Sequence, residues 1–291
     1  MKNKLLKSVA LFLLLGMLVT AAACRKAPEH AVSSSAAPES SGAADAGASD
    51  ADTVTLGPII YEETEPVYDG PAGVLENLRL LYTRNSDTVG WLTIKNGNGV
   101  AFIDFPVVQS FDNNYYLRRS FYGGYAHGGT VFLHFRCDPV DLSKNTVLFG
   151  HNLKDNSYFA QLLKYNSAAF YESAPIIEYS TLYKKYQFKI FAAFYSTTKF
   201  DYIRAVFPAV SIFTAVIDEA RARSVLNTNV DVGGDDSIIT LSTCAYVTGV
   251  DDARFVVMGR LLHDGESVGG CRASANPDAL DIRQKYAPKG A

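Results

Sequence analysis

Cysteine is scarce. The 291 residues hold four, Cys24, Cys137, Cys244 and Cys271, all far apart. With no CxxC pair, the chain lacks the spacing of a zinc ribbon or a thioredoxin-like redox site. Positive charge is not in excess either. The formal net charge is −3, and no basic footprint of a nucleic-acid binder is present. Long apolar runs are missing too. The one candidate, Val9 to about Ala23, is short for a membrane-spanning helix, which usually needs ~20 residues. Lys and Arg are absent between Lys26 and Arg79, and apolar side chains are sparse until Ile59. Such a stretch buries too little surface to offset its ordering entropy, so residues 25–66 read as a flexible acidic tether. No internal repeat is found.

What is present at the start is an export pattern. Lys2, Lys4 and Lys7 precede the apolar run, as in the n- and h-regions of a signal. The run ends "TAAAC", a small-residue triplet before Cys24. Residues 1–24 are therefore expected to be either a lipoprotein signal, with Cys24 lipidated, or an uncleaved anchor. Ala21 stands where a large aliphatic residue is usual in the first case. Both readings put the protein on the outer face of a membrane, held by its N-terminus.

The remaining length suffices for one domain with a full core, expected over residues 67–265, with 266–291 as a polar tail lacking a strand pattern. Val74, Leu75, Leu78, Leu81 and Tyr82 share a helical face, which predicts a helix over 72–84. Eight short strand candidates follow: "GWLTI", "AFIDFPVVQ", "GGTVFLHF", "NTVLFG", "APIIEYS", "YQFKIFAAFYS", "SIITLSTC" and "RFVVMGRLL". Gly, Asn, Asp and Pro clusters separate them. The close spacing argues for an antiparallel barrel or sandwich over a doubly wound sheet. Two inserted helices are expected. One, from Ser157 to about Tyr165, turns Phe159, Leu162 and Leu163 inward. The other, from about Ser211 to Leu226, carries the stripe Phe213, Val216, Ile217 and Ala220.

Cys244 closes the strand "SIITLSTC". A buried structural cysteine is one reading of it; a nucleophile is the other, and that one needs a partner base. Of the histidines, His30 lies in the tether, His263 at the domain edge, His127 in a Gly-rich loop and His134 inside a strand. His151 follows "NTVLFG" at the exit of a strong strand, a place from which side chains project into clefts. Arg254 opens the next strand, ten residues after Cys244. A strand–loop–strand path sets the two side by side, where Arg254 could stabilise an oxyanion. It could equally pair with Asp251 or Asp252 in the loop.

"TLSTC" at 240–244, Arg254 at a strand start and "LFGHN" around His151 together resemble the signature of sortases, the surface cysteine transpeptidases of Gram-positive bacteria. The likeness runs from Leu75 to Leu262. "GWLTI", "IDFPVVQ", "DNNYYL" and "NTVLFGHNLKDNSYFAQLLKY" are similar to class B members. The resemblance implies a mainly β fold: an eight-stranded sortase-type barrel with an N-terminal helix and inserted helices. It implies His151, Cys244 and Arg254 as the catalytic set. It implies substrate binding by Asn113, Leu117, Thr198, Tyr202, Ile203 and Ser242, and it implies no cofactor and no metal. The partners would be surface proteins bearing a sorting signal, cleaved after a threonine, and an amine of a peptidoglycan precursor or cross-bridge. His134, Cys137 and Ala245 depart from residues common in the class, which bears on substrate preference rather than chemistry. Two other functions compete: a surface cysteine protease that only hydrolyses, and a tethered binding module without catalysis. Papain-like enzymes place Cys before His, whereas His151 precedes Cys244 here. The simultaneous presence of Cys244, His151 and Arg254 argues against a module without chemistry.

Overall fold

The structure, a computed structural model, describes residues 67–283. The signal or anchor expected over 1–24, with Cys24, and the tether expected over 25–66 lie outside the described residues.

Helix α1 spans Glu76–Arg84. It starts later than the apolar pattern suggested, because Gly73 takes a positive φ of 81° and turns the chain first. Leu78 and Val74 are buried with Leu182, and the Leu75 N–H donates to the Leu182 carbonyl at 2.7 Å. The helix therefore seats on a β-turn of the barrel rather than standing free.

Ten strands follow in chain order: β1 (Thr88–Lys95), β2 (Ala101–Val108), β3 (Phe132–Leu133), β4 (Asn145–Phe149), β5 (Ile176–Thr181), β6 (Lys185–Ser196), β7 (Leu226–Thr228), β8 (Ile238–Cys244), β9 (Arg254–Leu261) and β10 (Ala273–Ala275). All but β7 and β10 close a barrel, in the order β1-β2-β3-β4-β8-β9-β6-β5, with β5 returning to β1. Every strand candidate read from the sequence is a stave of this barrel. The expectation of an antiparallel sheet is corrected. β4 runs parallel to β8, with Val147 opposite Thr240, and β2 meets β3 in parallel at Val108 and Phe132. A parallel pair needs a long crossover, and residues 150–237 supply it for β4 and β8.

That crossover holds the inserted helices. The first is a 3-10 helix, Phe159–Asn166, with Phe159 and Leu162 fully buried and Leu163 partly so. A short α2 (Ala168–Ser173), capped by the Ser167 hydroxyl, follows it. Helix α3 spans Val210–Arg223 and buries Phe213, Val216, Ile217 and Ala220, the stripe seen in the sequence. Each large apolar side chain so buried contributes ~1.5–3 kcal/mol. With Phe188, Ile190, Phe194, Ile239, Leu241, Phe255 and Val257 they form one continuous core.

The tail expected to lack strand structure is also corrected. β10 lies within it and pairs with β7, and Cys271 and Ile282 are buried. Three small residues in β10 show no alternation, so periodicity could not signal this strand.

Glu266 ties the segment after β9 to the barrel wall. Its carboxylate accepts hydrogen bonds from Arg260 at 2.5 and 2.7 Å and from Lys189 at 2.7 Å. Arg260 is 4% and Lys189 9% exposed. The Arg260 guanidinium, seconded by Lys189, holds the Glu266 carboxyl far below the usual carboxylate range, although burial opposes this. A depressed folded-state pKa stabilises above the unfolded value of ~4.3, and that stabilisation fades as pH falls below it. Glu266→Gln is expected to cost ~3 kcal/mol at pH 7, since it strands two nearly buried cations. Thermal melts of both proteins should converge as pH drops below ~4. A gap that stays constant with pH would contradict the assignment.

Candidate active site

The mouth of the site is made where β8 ends and β9 begins. In the antiparallel register of these strands Cys244 stands directly opposite Arg254. The ten-residue spacing in the sequence implies the same juxtaposition. On the other flank of β8, β4 ends at Phe149, paired with Ser242, and the Gly150 N–H donates to the Ser242 carbonyl at 3.3 Å. His151 is therefore delivered beside the end of β8. A Cβ on Gly150 would lie 2.7 Å from the buried Phe159 ring, so the strand exit needs glycine there. The Asn152 side-chain amide donates to the Cys244 carbonyl at 2.9 Å and ties the histidine loop to the cysteine strand.

His151 Nε2 lies 2.7 Å from the Leu117 carbonyl. A carbonyl only accepts, so Nε2 carries the proton and Nδ1 keeps its lone pair. Burial pushes the His151 pKa down, and the charges of Arg118 and His127 push it further, against the opposing pull of the Leu117 carbonyl. The balance of these effects favours the neutral imidazole.

Arg254 is half-buried, and one of its terminal nitrogens donates to the carbonyls of Asp252 and Ala253, each at 3.0 Å. No carboxylate pairs with it among the described residues. The alternative of a side-chain ion pair with Asp251 or Asp252 is thus not what forms. The Asp252 carboxylate is instead engaged by the Thr198 backbone N–H at 3.2 Å and by the Thr198 hydroxyl. Burial works against its ionisation, but these bonds and the nearby Arg254 charge outweigh burial and hold the carboxyl below its usual range. Arg254 lines the cleft, and no hydrogen bond from the other nitrogens of its fork is found among the described residues.

That cleft has a volume of about 300 Å³, and the structure brings all nine residues singled out in the sequence to its walls: His151, Cys244, Arg254, Asn113, Leu117, Thr198, Tyr202, Ile203 and Ser242. Tyr202 is buried, and its hydroxyl lies 2.9 Å from the Ser242 hydroxyl. Beneath them the buried Asn145 amide donates to the carbonyls of Tyr202 and Arg204 at 2.9 and 3.0 Å and accepts from the Thr240 hydroxyl at 2.7 Å. Asn113 accepts from the Phe135 N–H at 3.0 Å and so also braces the rim. A larger groove of about 810 Å³ lies along β1, β5 and β6, lined by polar side chains such as Lys95, Glu178, Lys185 and Glu266, and holds none of the nine.

The family model described as the sortase domain matches residues 100–262. Sortase B of Listeria monocytogenes is 39% identical over 210 residues, covering 70% of this chain and 84% of that protein. The chain belongs to the sortase family. Sortase B of Staphylococcus aureus is 35% identical over 178 residues, covering 61% of this sortase and 71% of the relative. A crystal structure of the Staphylococcus aureus sortase B–substrate complex superposes with a TM-score of 0.59 at 34% identity, over 66% of this chain and 87% of that one. A Bacillus anthracis sortase B structure gives 0.59 at 30% identity, over 67% and 88%. The neighbours are class B sortases, and this sortase is an enzyme of their kind, a cysteine transpeptidase.

Sequence reasoning did not single out Phe132, Phe149, Phe200 or Asp201, which also line the cleft, nor Asn152. Phe132 and Phe149 each adjoin another buried apolar residue, Leu133 and Leu148, so nothing in the pattern marks them as facing the cleft. Asn152 stands beside His151 in "LFGHN", and that adjacency was the one usable signal.

Proposed function

We propose that this sortase cleaves a sorting signal after a threonine, holds the released protein as a thioacyl-enzyme on Cys244, and transfers it to a cell-wall amine. The observation that carries this reading is the cross-strand pair Cys244–Arg254 at a cleft into which the β4 exit also delivers His151. An extended peptide would lie along the walls formed by Asn113, Leu117, Thr198, Tyr202, Ile203 and Ser242. His151 takes the Cys244 proton as the sulfur attacks the threonine carbonyl. Arg254 donates to the oxyanion, work worth ~3 kcal/mol for one well-placed donor. The protonated His151 then gives its proton to the leaving amine, and the thioester remains. In the second half His151 accepts a proton from the incoming amine, the tetrahedral adduct collapses, and the Cys244 thiolate leaves and is reprotonated.

One solved relative is a sortase B complex with substrate, and another is a sortase B complex with a glycine tripeptide. These support a signal-bearing donor and an amine acceptor as partners here. The export pattern of residues 1–24 supports a place on the outer face of the cell membrane, anchored through the N-terminus or through lipidated Cys24.

The test uses a peptide library carrying varied sorting motifs, with and without an amine acceptor, read by mass spectrometry. A thioester adduct on the Cys244 peptide and a ligated product are expected. Cleavage that yields only hydrolysed product at every amine concentration would favour a surface protease. No cleavage of any peptide would leave only a binding module.

A further inference from the structure

The segment between β2 and β3 forms the lip of the cleft on the His151 side. Its 3-10 turn, Tyr115–Arg118, contributes Leu117 to the cleft wall and the carbonyl that holds His151. The next residue, Arg118, is exposed, and one of its terminal nitrogens donates to the His127 carbonyl at 2.6 Å and lies 3.3 Å from His127 Nδ1. Arg119 stands beside it with its guanidinium 4.6 Å from the Tyr115 ring centre. Among the described residues no carboxylate pairs with Arg118, Arg119 or His127. The nearest acid in sequence, Asp112, is engaged by the backbone N–H groups of Asn114 and Tyr115.

Burial first, and then the charges of Arg118 and His127, oppose protonation of the His151 imidazole, and the proposed transfer passes through that protonated form. The remaining donors of the Arg118 fork, with no protein partner among the described residues, match a carboxylate geometrically.

We propose that Arg118, with His127 beside it, binds the carboxylate of the incoming amine acceptor. The inference rests on the transfer reading given above. The acceptor must bring its amine to the thioester on Cys244 and pass a proton to His151, so it enters along the His151 side. A peptide acceptor of three residues carries its carboxylate up to ~10 Å from its amine, which suits a cation on the lip rather than on the floor. The bound carboxylate would also offset the charge that disfavours His151 protonation, coupling acceptor binding to acid–base function.

The experiment uses the full chain, one cleavable sorting peptide and two acceptors, triglycine and triglycinamide, which differ in the C-terminal charge. At low salt the KM for triglycine should lie about tenfold below that for the amide, and the preference should shrink in high salt. Arg118→Gln should abolish the preference, and Arg118→Glu should reverse it while still ligating the amide. A preference left intact in both variants, or an equal loss with both acceptors, overturns the proposal alone. Absence of ligation to either amine in the unaltered protein overturns the transfer reading together with it.

Discussion

Cys244→Ala is expected to abolish peptide cleavage and to remove the thioester adduct, with the melting temperature nearly unchanged. The sulfur makes no hydrogen bond among the described residues, and the side chain is only half-buried at a strand end, so little packing is lost. The other described cysteines behave oppositely. Cys137 and Cys271 are 4% and 5% exposed, and burial pushes both thiols above their usual range. A thiol-directed alkylating reagent should therefore find Cys244 before either of them. Inactivation should track modification of the Cys244 peptide in a digest. Retained activity in Cys244→Ala, or inactivation that tracks Cys137 or Cys271, would remove Cys244 from the mechanism.

Arg254→Lys should slow thioacyl formation by ~100-fold or more, and Arg254→Ala at least as much. The physical basis is the fork. One nitrogen is committed to the carbonyls of Asp252 and Ala253, which leaves the remaining donors without a partner among the described residues. An ammonium can replace either the anchoring or the remaining donors, not both. Single-turnover acylation of Cys244 measures this directly. A brace would give a different signature, a lowered melting temperature with near-normal acylation. The loop does not depend on an Arg254 ion pair, since Thr198 already holds the Asp252 carboxylate.

Much of this was legible in the linear order of residues. Eight runs of β-prone side chains separated by turn clusters named all eight staves of the barrel, because a strand with a buried face writes its period into its own sequence. The α3 stripe was legible for the same reason. The juxtaposition of Cys244 and Arg254 followed from local connectivity alone, a strand, a loop and a returning strand. Its place at the exit of a strong strand singled out His151, and the family resemblance, rather than spacing, selected the six residues of the groove.

Three features were decided only in three dimensions. The parallel union of β4 and β8 joins strands far apart in the chain, with Asn145 opposite Ile238, and no local pattern records which edges will meet. It is that union which sets His151 against the end of β8. The Leu117–His151 hydrogen bond, and with it the imidazole tautomer, depends on a loop 34 residues upstream in sequence. The anchoring of residues 266–283 rests on Glu266 meeting two cations from other strands, on the short pairing of β10 with β7 and on the burial of Cys271 and Ile282, contacts too sparse to produce a period. Short-range order fixes which elements form because backbone and side-chain preferences act within a few residues. Which charges and carbonyls face one another is set by closure of the barrel, since only there does burial make an unpaired polar group costly enough to choose its partner.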